Sequence, residues 1–347
     1  MDYKLYFEPI CKTSKKFKLA DCGKIDISTL CTTPRKNRTE KGSHLSGLYT
    51  EQYADVFFVK DGKEMIYKDL SSDINYKNTR GWAEIIASKL ARQIGIKCAE
   101  CEFAHDSDKS HGIVSYNFLE ENQKLIPGYE ILEHTYSDYF NHTMQYYNYA
   151  LENLQKEGYI VNRQQIMFDL YKIIVFDFLT CQDDRHSSNI SFVYTTLPNG
   201  KIEITLAPLY DNEFAFSFMH EIKNLRNISY KTFINENLVP MRFGIKNIFN
   251  DACYTPYECC VKEAKEIISF AKKDEKYKQF LINAIKNLDI FKVYARLEIE
   301  GTKMNMEHLA WYDKCIESKK YIIQKVLSQE KTDNDLIALG EDLGQSM

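Results

Sequence analysis

Residues 183–189 read Asp-Asp-Arg-His-Ser-Ser-Asn, and residues 207–211 read Ala-Pro-Leu-Tyr-Asp. The stretch upstream, residues 163–181, carries Ile166, Leu170, Ile173, Ile174, Phe176, Phe178 and Leu179. It is apolar nearly all round its second half, which predicts a central buried helix. Downstream, residues 190–194 and 201–206 read as strands flanking Leu197-Pro198-Asn199-Gly200, a hairpin turn. The helix therefore delivers the first segment to a point, and the hairpin runs out and returns the second to it. Phosphoryl transfer needs a carboxylate to orient and deprotonate the attacking hydroxyl, and oxygen ligands for Mg²⁺. Asp184 supplies the first requirement, and Asn189 and Asp211 supply the second. A polar surface loop with a helix cap uses the same residue types. The hairpin return to Tyr210 and Asp211 favours chemistry over that reading.

Working outward, residues 54–59 and 64–67 are β-rich runs separated by Asp61-Gly62, a second hairpin signal. Ile66-Tyr67-Lys68 places a lysine at a strand end, where it can pair with the α- and β-phosphates of a nucleotide. Residues 79–94 have helical spacing through Trp82, Ile85, Ile86, Leu90 and Ile94, and Gly95 ends the run. Glu84 falls in the first turn, placed to hold Lys68 in an ion pair; an exposed lysine and a dipole-favoured glutamate are the plainer alternative. Residues 99–104 and 112–118 read as strands. Lys41-Gly42-Ser43-His44-Leu45-Ser46-Gly47 precedes the first strand of this sheet, residues 54–59. Its glycines allow close backbone approach to phosphates, although it matches neither common glycine-rich phosphate motif, and an ordinary turn fits equally. Residues 3–31 read as short strands or an irregular element, and residues 129–154 as helical in part. Helices are predicted over 257–273, 276–288 and 304–327, with a polar tail after residue 330. The expectation is an α+β, two-lobed fold with a β-rich lobe over 1–118 and a helical lobe over 119–347.

The chain has 347 residues, 44% apolar and 27% charged, with a net charge of −4. That is ordinary globular composition, and it makes no general case for nucleic-acid binding, which needs a basic face. Local basic runs at 12–18 and 35–41 suit solvent, or in the second case phosphates. Met1 to Ile10 lack the uninterrupted apolar stretch of a signal peptide, and no later run reaches membrane-span length. The expectation is a soluble protein of the cytoplasm, or one secreted or translocated without a signal peptide. The ten cysteines are scattered, which favours free thiols. Cys98 and Cys101 form a single CxxC without a second pair at zinc spacing.

On these residues the chain resembles the HipA-like serine/threonine kinases. The resemblance rests on Lys68 after a β-run, residues 82–96 (WAEIIASKLARQIGI), residues 114–118, residues 184–189 (DRHSSN) and residues 208–211 (PLYD), in that order. It implies a kinase-like fold using ATP and Mg²⁺, with Asp184 as catalytic base and His186 supporting its loop. Asn189 and Asp211 would bind Mg²⁺, Lys68 would contact ATP phosphates and Glu84 would pair with it. Tyr116, Asn117 and Phe118 would form the hinge for adenine, and Gly42, Ser43, Ser46 and Gly47 the phosphate loop. It implies a protein substrate, autophosphorylation (Ser43 and Ser46 lie in the right region) and a partner of the toxin–antitoxin type. The short residues 1–40 resemble those of the stand-alone members. Other classes stay open: Asp-Arg-His-x-x-Asn also resembles the catalytic loop of phosphoinositide kinases, an aminoglycoside-type phosphotransferase shares the fold logic, and a nucleotide-binding pseudokinase would keep the fold without transfer.

Overall fold

The computed structural model describes residues 25–34, 56–69, 79–105, 111–132, 144–216, 225, 228–238, 255–299, 304 and 306–329. The candidate phosphate loop at 41–47 and the polar tail lie outside these residues. Among the described residues, ten strands form two sheets. β1 (Ile25–Asp26), β2 (Cys31–Pro34), β3 (Val56–Lys60) and β4 (Lys63–Asp69) precede helix α1 (Thr79–Gln93), and β5 (Cys101–His105) and β6 (His111–Tyr116) follow it. Their order across the first sheet is β1-β5-β6-β4-β3-β2. β3 and β4 are joined by Asp61 and Gly62, both at positive φ (52° and 76°). Two left-handed residues match the twist of the flanking strands, which is why Asp-Gly reads so clearly as a hairpin.

Alternation gives this sheet two faces. Met65, Tyr67, Phe58, Ala104 and Val114 turn outward into a small core with Ile25 and Ile27. Phe103 and Ile113 turn the other way into the main core, where Trp82 of α1 meets Phe103 edge-on at 4.8 Å. Lys68 is paired in register with Ile113, so it shares the α1 side of the sheet. Gly95, at φ 83°, stops α1: its N–H donates to Arg92 O and that of Ile96 to Ala91 O, the left-handed cap expected of a helix ending in glycine.

The rest of the chain runs β7 (Gln123–Pro127), α2 (Gly128–Leu132), α3 (Met144–Lys156), β8 (Ile160–Val161), α4 (Arg163–Leu179), β9 (Ser191–Thr196) and β10 (Ile202–Leu206). α5 (Tyr230–Asn237), α6 (Pro256–Ala271), α7 (Glu275–Asn287), α8 (Ile290–Ile299) and α9 (Met306–Gln329) complete it. The expected hairpin is β9–β10, and it belongs to a four-stranded sheet, β7-β9-β10-β8. Helix α4 is the buried axis: Leu170, Tyr171, Val175, Phe176, Phe178 and Leu179 are fully inaccessible, and α3, α6, α7 and α9 pack around it. Helix α1 also belongs to this larger core. Asn283 of α7 donates to Ile94 O at 3.5 Å, and the Asp289 N–H donates to Gln93 at 3.2 Å. Among the described residues no helix is long and apolar enough to cross a membrane, and none forms a metal-ligating cluster of His, Cys, Asp or Glu. Cys98 and Cys101 are free thiols.

Candidate active site

Helix α4 ends where the chemistry-bearing loop begins. Cys181 takes a left-handed turn (φ 53°), and the Gln182 N–H reaches back to Asp177 O at 2.9 Å. Thr180 caps the turn through its hydroxyl, 2.8 Å from Phe176 O. The loop 182–190 then folds on itself. Asn189 Nδ2 donates to Asp184 O at 2.9 Å, and the Ser188 N–H donates to His186 Nδ1 at 3.2 Å. His186 Nε2 stands 3.9 Å from Asp184 Oδ2. The Asn189 N–H donates to His186 O at 2.9 Å, so both nitrogens of Asn189 are held within the loop.

The second segment returns from β10 as expected. Leu209 sits beside Cys98 in a parallel bridge: Ala99 N–H donates to Leu209 O and Leu209 N–H to Lys97 O, both at 2.8 Å. This bridge fastens the segment to the exit of α1. Tyr210 fixes it to the first loop, its hydroxyl donating to Ser188 O at 2.7 Å and lying 2.6 Å from Ser191 Oγ. Asp211 then adopts φ 56°, a left-handed conformation that aspartate tolerates better than most residues.

One side chain holds the two segments together. Arg185 is wholly buried. It pairs with Asp177 of α4 through Nε and Nη2 (both 3.1 Å), and donates to Tyr210 O at 2.8 Å and to Asn212 Oδ1 at 2.7 Å. A planar guanidinium suits this multi-directional role where an ammonium would not. Asn212, also wholly buried, passes the connection on to Glu84 and to Ser88 Oγ (3.4 Å).

Lys68 and Glu84, expected to pair, feel each other's charge, and each has closer contacts on the returning segment. Lys68 Nζ lies 2.8 Å from Asp211 Oδ1 and 2.8 Å from Glu213 Oε2. Glu84 accepts from the backbone N–H of Asn212 and, through Oε1, from Asn212 Nδ2 at 3.3 Å. It stands one turn further into α1 than the sequence reading put it, since the first turn holds no acidic residue. Asn212 and Glu213 were not singled out from the sequence. They follow Asp211 directly, and no spacing motif marks them.

Charge is crowded at this point. Burial pushes the Asp184 carboxyl up to about 7, helped by the neighbouring carboxylates of Asp211, Asp183 and Glu213. Burial likewise raises Glu84 to about 7, with Asp211 adding to it. Asp211 goes the other way, held below the usual range against its burial chiefly by Lys68. Burial lowers His186, against the pull of the Asp211 carboxylate. The expected hinge flanks the site. Asn117 clasps Glu64 through its backbone N–H (2.8 Å to O) and its Nδ2 (2.8 Å to Oε2), and Phe118 stacks on Tyr210 with ring centroids 6.3 Å apart. Tyr116 is turned to Glu102, its hydroxyl donating at 3.1 Å.

The profile of the HipA-like C-terminal domain family matches residues 49–237. No curated protein matches the chain. Among solved structures, the Helicobacter pylori proinflammatory kinase CtkA is similar at 14% identity and a TM-score of 0.61, the match covering 89% of this chain and 99% of that one. HipA of the Shewanella oneidensis MR-1 toxin–antitoxin system, solved with HipB and operator DNA, matches at 13% identity and a TM-score of 0.46, covering 90% of this chain and 67% of that one. The likeness to CtkA is one of fold, and it agrees with the mixed, kinase-like architecture expected from the sequence.

Proposed function

We propose that this chain, which belongs to the HipA-like C-terminal domain family, is an ATP- and Mg²⁺-dependent serine/threonine protein kinase. The observation that carries the reading is the meeting of Lys68, Asp184, Asn189 and Asp211, drawn from a strand, one loop and a hairpin return, at one place. The donors there are hard oxygens, the class that Mg²⁺ takes. Asn189 Oδ1 and Asp211 would hold the ion, and Lys68 would meet the nucleotide phosphates. Bound Mg·ATP supplies the transferable phosphoryl group with its charge partly neutralised. Asp184 does the protein's share of the chemistry: its carboxylate orients the acceptor hydroxyl and takes its proton. A basicity raised to about 7 suits a base working at neutral pH. His186 lies against Asp184 and steadies the loop. Tyr116, Asn117 and Phe118 remain the candidates for the adenine edge, and residues 41–47 for the phosphate cradle. An acceptor protein and a partner of toxin–antitoxin type belong to the same proposal.

The test is incubation with labelled ATP and Mg²⁺, alone and with protein, lipid and aminoglycoside acceptors, beside Asp184→Asn. Label is expected on this chain or on protein, and the variant is expected to lose on the order of 10²- to 10⁴-fold, the usual worth of a positioned base. Nucleotide binding without transfer to any acceptor would identify a pseudokinase and defeat the proposal. Label in lipid alone would assign the chain to the phosphoinositide-kinase class instead.

A further inference from the structure

We infer that Trp311 of α9 is a positioning residue for the segment that carries Asp211, acting through the carbonyl of Phe216. This deepens the kinase reading above and rests on it for its functional meaning. Two non-glycine residues at positive φ bracket the segment, Asp211 at 56° and Phe216 at 67°. A turn lies between them, closed by the Ala215 N–H on Asn212 O at 3.0 Å. Aspartate tolerates the left-handed region, but a bulky side chain there is an outlier. Such a residue persists only where its surroundings over-determine it. Here the surroundings are the end of α4 and one turn of α9. The Phe216 N–H donates to Thr180 O at 2.5 Å. Phe216 O accepts from Trp311 Nε1 at 2.8 Å and from the Cys315 thiol at 3.4 Å. The Phe216 ring stacks on Tyr312, with centroids 4.1 Å apart.

The same turn of α9 also meets the start of the catalytic loop, since the Cys181 thiol lies 3.9 Å from Cys315 O. Both segments that build the site are therefore fastened to α9, one where it begins and one where it ends. Of the contacts at Phe216 O, the indole is the directional one. Trp311 is fully inaccessible, and a buried N–H that loses its acceptor is costly, whereas a thiol is a weak donor. With its N–H on Thr180 and its carbonyl on Trp311, Phe216 has both of its peptide planes fixed. That sets the direction in which the turn runs back to Asp211. Trp311 lies beyond residue 237, where the family match ends, so this hold on the site comes from outside the matched region.

The test compares two variants of the full chain. Trp311→Phe keeps a ring and removes the donor. Phe233→Leu loosens the same packing, since Phe233 meets Trp311 edge-on at 5.2 Å, and leaves the donor in place. The first readout is hydrogen exchange at the Phe216 amide relative to the amides of α4. That ratio is expected to rise about tenfold in Trp311→Phe, the worth of one hydrogen bond, and to stay near wild type in Phe233→Leu. The second readout is the Mg²⁺ concentration that gives half-maximal transfer of label from ATP. It is expected to rise about tenfold in Trp311→Phe, as when a group supporting a metal ligand is lost, and to stay near wild type in Phe233→Leu. A structural role alone would lower stability and leave this requirement unmoved. Equal effects of the two variants, an unchanged ratio at Phe216, or an unmoved Mg²⁺ requirement would each overturn the assignment. If Trp311→Phe does not fold, indole N–H exchange is followed in the wild-type chain, whose two tryptophans are told apart with Trp82→Phe. The Trp311 indole and the Phe216 amide are expected to exchange at matching rates through one opening; an indole that exchanges only with α4 while Phe216 exchanges sooner overturns it too. Absence of transfer in the wild-type chain would sink the kinase reading, whereas the exchange contrast would stand without it.

Discussion

At the residue scale, Asp184 and Glu84 are carboxyls that their surroundings push the same way. Both are raised to about 7, first by burial and then by neighbouring negative charge. The ordinary values are 3.8 and 4.5, so folding takes up protons between those values and about 7. The stability these groups contribute is therefore full below pH 4 and is lost as pH rises through about 7. For the metal-free chain, the urea midpoint is expected to fall from pH 6 to pH 8, and to fall less in Asp184→Asn, which removes one of the two titrations. An equal fall in both proteins would show that Asp184 ionises at an ordinary carboxyl pH. Transfer should run the opposite way and rise through pH 7 as the base deprotonates. Asp184, Asn189 and Asp211 were legible because their spacing around a helix end and a hairpin is itself a pattern. Arg185 lies within that pattern, but the pattern does not show its part. Which atoms a buried guanidinium reaches depends on Asp177, Tyr210 and Asn212 arriving together, and one-dimensional spacing does not carry that. The same holds for Glu84: the sequence identifies an acidic residue on α1, but not that Asn212 also binds it.

At the scale of elements, the short helix α2 sets the height of the catalytic loop through its first residue. Gly128 donates its N–H to Ile190 O at 2.7 Å. A Cβ there would stand 2.7 Å from both Ile190 O and Tyr147 Oη, and 2.8 Å from Ser187 O. Two of these obstacles are backbone of the loop that carries Asp184, so the strain cannot be relieved by turning a side chain. Gly128→Ala is expected to cost about 1–3 kcal/mol, the usual range for overpacking, and to lower transfer by more than it lowers stability. Chemical denaturation beside the labelled-ATP assay checks this. A stable variant with undiminished transfer would mean that the loop shifts as a unit without cost. Elements long enough to show a period were readable: α1, α4, the α6 and α7 helices and the β9–β10 hairpin. The two-residue strands β1 and β8 have no period to read, and β7, five residues ending in proline, has little more. Helix α8 carries a usable signal that went unread, with buried Ile290, Val293 and Leu297 at helical intervals.

At the scale of the whole molecule, the division of the core decides how the fold comes apart. The first sheet buries two unlike faces. Its α1 side joins the large core that runs through α4 and α9, and among the described residues its other side has only the small cluster around Phe58, Met65 and Tyr67. A unit that buries little apolar area opens at lower free energy than the global transition. Amides of β2 and β3 are therefore expected to exchange with solvent through a partial opening, while those of α4 exchange only on complete unfolding. Two truncations separate the levels. Leu90, fully buried on α1, contacts the large core, and Leu90→Ala is expected to lower protection in α4 and in β3 alike, by about 2–5 kcal/mol. Phe58, 3% exposed and packed edge-on to Tyr67 at 6.3 Å, belongs to the small cluster. Phe58→Ala is expected to lower protection in β2 and β3 and leave α4 near its wild-type value. If Phe58→Ala lowers α4 by the same amount, the sheet and helices unfold as one unit.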